Sequence, residues 1–249
     1  MKLIYVDSRA RVSGTSTSFQ ISLREPIAVS EGQMMRVDQV RFPMTLTTVT
    51  TSNRWLYTAR GLTYSRVALE LGTYTGQELV THIRARLATL GLAVGVEWLN
   101  LSSGLRITFA AALRLLTDAE IAELPAGTFP SPWLPSDRPR SFNDNLGSQV
   151  GGIGSITFPF VNLTAADTLY LCSRTLSNEA CFGPRGNHDV LAKLVVDDPL
   201  GSIHRSDMPT NLYHRLPELT LKMLDFSLQD RHGDVVSLAG ELSFVLSID

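Results

Sequence analysis

Cysteine is nearly absent: Cys172 and Cys181 are all that 249 residues contain. Two are too few for a disulfide framework, and they lack the paired spacing of a zinc site. Two half-buried thiols are the expectation. Excess charge is missing as well. The 22 Lys and Arg are set against 24 Asp and Glu, a net charge of −2, which leaves no positive surplus to displace counterions from a nucleic-acid backbone. Nucleic acid is therefore not expected as the main partner. No apolar run is long enough to span a bilayer, and Met1 to Asp7 reaches an acidic residue, then Arg9 and Arg11, too soon to supply a signal-peptide core. A cytosol-like compartment follows as an expectation, so the sequons at Asn100 and Asn162 are read as accidents.

Motifs that carry chemistry are also lacking. His82, His188, His204, His214 and His232 form no close pair at metal-ligand spacing. His204 and His214 flank Asp207, but this spacing is too unspecific to mark an acid–base or metal site. The run Gly151-Gly152-Ile153-Gly154-Ser155 lacks the Lys-Ser/Thr ending and the following helix of a phosphate loop. No Gly-x-Ser-x-Gly elbow offers a nucleophilic serine. Carboxylates gather at Asp197, Asp198, Asp225, Asp230 and Asp234, positions at strand ends and turns, where aspartate ordinarily satisfies loop backbone. Neither a cofactor nor a metal is expected, and the chain is not read as an enzyme.

What the sequence does have is alternation. Phe19, Ile21 and Leu23 share one face of a strand, and Leu242, Phe244, Leu246 and Ile248 share one face of another. Between Gln33 and Phe42 the apolar phase shifts from Met35 and Val37 to Val40 and Phe42, which predicts a bulge or a strand covered on both sides. Further strands are predicted at 155–160, 168–175, 190–196 and 219–228, with Asp230-Arg231-His232-Gly233 as turn chemistry before the last run. The exception is 62–125. There Thr75-x-x-Glu78 and Thr117-x-x-Glu120 are capping boxes that open helices near 76–90 and 117–124, around two short strands at 93–98 and 105–109. The expected organisation is thus mainly β: a sandwich from 1–61 and 126–249, interrupted by an α/β insertion at 62–125. From 126 to 154, Pro, Gly, Ser and Asn predict a long loop whose Trp133 and Phe142 give it apolar surface.

Several short blocks, in order, resemble penton-like minor capsid proteins of polinton-like viruses, virophages and related double-jelly-roll DNA viruses. They are Tyr5-Val6-Asp7-Ser8-Arg9 with Ser18 to Leu23, Val37-Asp38-Gln39-Val40-Arg41-Phe42-Pro43, Leu71-Gly72-Thr73-Tyr74, Leu169 to Leu176, and Leu228 to Gly233 with Phe244 to Ile248. The resemblance implies a single jelly roll of about eight strands with no catalytic residues. It also implies a homopentamer at the fivefold vertices of an icosahedral capsid, in contact with the major capsid protein and with other minor capsid or spike proteins. The virion vertex would be its location, after synthesis in host cytosol or a viral factory. The loops expected to meet neighbours are 126–154, 45–54 and 199–217, with Trp133, Phe142, Arg205, Met208, Tyr213 and Arg215 as candidate interface residues. A spike or fibre head or a carbohydrate-binding sandwich is the alternative reading, and a β-sandwich hydrolase is a third.

Overall fold

The computed structural model describes residues 1–51, 53–92, 94–109, 113–125, 127–129, 141–146, 150–151, 154–164, 166–176, 183–184, 186, 188–199, 201–207 and 213–249. The chain forms two compact units, one from 1–46 with 166–249 and the other from 47–165. The expected insertion at 62–125 lies wholly inside the second unit, which extends further in both directions. The reason is strand pairing. Trp55–Arg60, expected in the sandwich, pairs with Thr63–Ala68 and with Arg114–Leu115 inside the insertion.

The first unit begins with β1 (Lys2–Asp7), β2 (Ser13–Gly14), β3 (Ser18–Val29) and β4 (Met34–Pro43). The second contains β5 (Trp55–Arg60), β6 (Thr63–Ala68), α1 (Gly76–Ala88), β7 (Val94–Leu99), β8 (Gly104–Phe109), β9 (Arg114–Leu115), α2 (Asp118–Glu123), α3 (Phe142–Leu146), β10 (Val150–Gly151) and β11 (Ser155–Phe158). The chain then returns to the first unit with β12 (Thr168–Cys172), β13 (Val190–Val195), β14 (Ile203–Asp207), β15 (His214–Arg215), β16 (Leu219–Asp230) and β17 (Ser243–Ile248).

In the first unit one sheet runs β1-β17-β4-β14, with β15 also on β4, and the other runs β13-β12-β16-β3-β2. Setting aside the two-residue strands β2 and β15 leaves eight strands. Renumbered in chain order, they lie 1-8-3-6 in one sheet and 5-4-7-2 in the other, which is the jelly-roll order. The inner faces share one core. Ile4, Val6, Val37, Phe42, Phe244 and Leu246 come from the first sheet, and Phe19, Ile21, Leu169, Leu171, Leu224 and Phe226 from the second. Phe226 meets Phe19 at 5.7 Å and Phe244, in the other sheet, edge-on at 4.8 Å. The shift of apolar phase in β4 is a bulge: Phe244 pairs with Val40, but Leu246 pairs with Val37.

The second unit pairs β10-β11-β8-β7 in one sheet and β6-β5-β9 in another. Both capping boxes form, with Thr75 and Glu78 bracketing the start of α1 and Thr117 and Glu120 that of α2. Leu79, Val80, Ile83 and Leu87 on one face of α1 are buried against Val96, Leu105 and Ile107. Gly76 is needed at the first turn because a Cβ there would sit 2.2 Å from the Trp98 ring. Part of the expected loop 126–154 is instead α3, and its Asn143 explains why. The buried amide donates to the Tyr57 and Leu116 carbonyls and accepts from the Tyr57 N–H at 3.0 Å, tying α3 to β5. Among the described residues, no helix is long and apolar enough to cross a membrane.

Candidate functional site

Among the described residues, those singled out from sequence do not meet in one place. Phe142 is fully buried in the core of the second unit, beside Leu146 and Val49. It is therefore a packing residue and offers no surface to a partner, because α3 turns it inward. Trp133 and Met208 lie outside the described residues. Arg205, Tyr213 and Arg215 are exposed in the first unit. The 45–54 loop is also less available than expected: Thr48 and Val49 are fully buried, and Val49 bridges to Gly72.

Two of the carboxylates, Asp225 and Asp230, serve backbone, as their positions suggest. Asp225 accepts from the Arg174 N–H at 3.1 Å, the Thr175 N–H at 2.8 Å and the Thr175 hydroxyl. Burial raises its pKa, but these donors outweigh that and hold the carboxyl below its ordinary value. Asp230 accepts from the N–H groups of His232 and Asp234 and closes the turn after β16. Cys172 is buried, and desolvation, with the Asp189 charge adding to it, pushes its thiol up to about 12, so it is not a nucleophile. Cys181 lies outside the described residues.

Among the described residues, one cluster has the composition of a metal site: Asp197, Asp198 and His204. His204 Nδ1 lies 2.6 Å from Asp198 Oδ2, and the ring is buried against Phe42. A metal on Nδ1 would require the ring proton to sit on Nε2, which is buried with no acceptor. With the ring proton on Nδ1, donated to Asp198, Nε2 carries only a lone pair, at lower cost. The arrangement is a hydrogen bond locking the β13–β14 turn. Asp207 points elsewhere, toward Gln39 at 3.0 Å.

The outer face of the β1-β17-β4-β14 sheet has a different character. Asp7, Ser243, Arg41 and Arg205 stand opposite one another in a single row across all four strands. Beside this row is an open cleft of about 370 Å³ lined by Asp7, Arg9, Arg41, Ile203, Glu241 and Ser243. Asp7 is held by Arg9 through Nε and Nη2, which keeps its carboxyl below the ordinary range despite partial burial. Glu241 takes Arg11 at 3.1 Å. Sequence reasoning selected Arg205 but not Arg41, because the register that makes them neighbours depends on strands 160 residues apart.

No protein-family model matches the sequence, and the curated proteins contain no match. The solved structures do. The crystal structure of mavirus penton protein aligns with 100% of this chain and 99% of its own, at a TM-score of 0.54 and 11% identity. The two share a fold. The alignment runs through both units, so the similarity includes the second unit as well as the jelly roll.

Proposed function

We propose that this chain is a penton, the vertex subunit of an icosahedral viral capsid, assembling as a homopentamer and contacting the major capsid protein. The observation that carries the reading is the end-to-end likeness to mavirus penton protein, which spans both units. The physical logic agrees with it. A ring repeats one heterologous contact until it closes, and a sandwich whose sheets end on strands paired on one side only, such as β1 and β13, has backbone edges for neighbours to cover. The chain works by geometry rather than catalysis, and its place is the virion vertex after synthesis in host cytosol or a viral factory. Arg205, Tyr213 and Arg215 remain candidate contact residues, with other minor capsid or spike proteins as further partners.

The test is the stoichiometry and position of the chain in purified particles, imaged with symmetry relaxed at the vertices. Five copies around each fivefold axis are expected. Absence from particles, or a projecting trimer, overturns the reading and favours a spike or fibre head.

A further inference from the structure

The cleft on the outer face of the first sheet is lined by two arginines and two carboxylates, but the pairing leaves Arg41 over. Its two carboxylates are already paired, Asp7 with Arg9 and Glu241 with Arg11. Arg41 has no ion pair or hydrogen bond from its guanidinium among the described residues. Arg205, directly opposite it on the neighbouring strand, has only a contact with Asp207 at 3.8 Å. Two like charges directly opposite on one sheet face destabilise the pair, and a carboxylate placed between two guanidinium forks relieves that repulsion with charge-assisted hydrogen bonds. Ile203, 53% exposed, forms an apolar wall next to them.

We propose that Arg41 and Arg205 form a docking site for a single acidic side chain, Asp or Glu, presented by another polypeptide with an apolar residue beside it to cover Ile203. The flanking charges favour this occupant over a nucleic acid. A phosphate backbone running through the cleft would bring successive negative charges against Asp7, Glu241 and Asp207, whereas one carboxylate between the arginines adds a single charge, against Asp207 beside Arg205. The inference rests on the first unit alone and is read on the dilute chain, so its failure is distinct from failure of the vertex reading.

The probes are acetyl-Leu-Glu-Leu-amide, its Gln counterpart and an oligothymidylate, titrated into the full chain while the arginine Nε–Hε signals are followed by NMR. The Glu peptide is expected to move the Arg41 and Arg205 signals and to bind roughly tenfold more tightly than the Gln peptide, the margin of a charge-assisted over a neutral hydrogen bond. Arg41→Gln with Arg205→Gln should erase that margin, while Arg24→Gln, at an exposed arginine on β3 in the other sheet, should keep it. Both arginines are exposed and removing them relieves their repulsion, so a melting temperature no lower than that of the parent chain verifies that the double variant folds. Equal binding of the two peptides, or binding of neither, overturns the proposal. So does an oligothymidylate that displaces the Glu peptide at equal phosphate concentration, which would assign the site to a polyanion.

Discussion

The two units solve the burial problem in opposite ways. In the jelly roll, β1 pairs with β17 and β3 with β16, so its sheets join residues near position 2 to residues near 248 and residues 18–29 to 219–227. In the second unit, β5 pairs with β6 and β7 with β8, each across a turn, and α1 covers β7 from the adjoining segment. Long-range pairing carries a loop-closure cost that local hairpins avoid. A contiguous segment can therefore reach its own core from its own residues, whereas the sandwich needs the two ends of the chain together. The same contrast shows in what fastens each core: an aromatic contact between sheets in the first unit, and a buried polar tie from Asn143 in the second.

Breaking these two fastenings separately should produce the largest effects. Phe226→Ala removes the ring between Phe19 and Phe244 and should cost about 3–5 kcal/mol, measured by denaturant unfolding with hydrogen exchange to localise the loss. Protection should fall in the β3 and β16 amides and hold in β7 and β8. Equal loss in both units would mean that they unfold as one. Asn143→Ala takes the side-chain partner from the Tyr57 N–H and the Leu116 carbonyl, while the Tyr57 carbonyl keeps the Leu116 N–H, and should cost about 2–3 kcal/mol, with exchange rising in β5 first. Gly76→Ala drives a methyl into Trp98. Overpacking of this kind costs about 1–3 kcal/mol, and a blue- or red-shift of tryptophan emission should accompany it.

Acid should test both units at once, because each holds a histidine shielded from water, half-buried His82 in the second and buried His214 in the first. His82 in the second unit stacks on Tyr74 and accepts from the Glu70 N–H; His214 in the first donates to the Leu191 carbonyl. Burial lowers both pKa values. A lowered folded pKa means that the unfolded chain binds the proton more readily. The stabilisation is therefore complete above the unfolded value of about 6.5 and is lost as pH falls through the folded values. Melting temperature should decline from pH 7 toward pH 5, and His82→Gln should flatten part of the decline. The smallest effect concerns Cys172. In a Cys181→Ser variant at pH 8 a thiol reagent should label nothing until denaturant is added, and rapid native labelling would contradict its burial.

Much of the strand pattern was legible because burial on one face of a strand forces strict alternation: β3 and β17 stand within a few residues of where Phe19 and Phe244 put them. The capping boxes at Thr75 and Thr117 were equally legible, since each satisfies its own helix start with residues three apart. Strands such as β5 and β14 were not. β5 buries Leu56, Tyr57, Thr58 and Ala59 in succession, so no alternation marks it, and β14 carries Ile203 outward and His204 inward, the reverse of what hydrophobicity suggests. α3 escaped notice because its stability comes from Asn143 bonds to residues 86 and 27 positions away, which no local window contains.

By itself, then, the sequence determined the β-rich class, the capped helices and the phase of the strongest strands, all consequences of spacing within a few residues. Tertiary structure alone decided the boundary between the units at 46 and 166, the inward turn of Phe142, and the meeting of Arg41 with Arg205. Each of these depends on the register between segments far apart in the chain, and register is set by the mutual burial of two faces rather than by either segment alone.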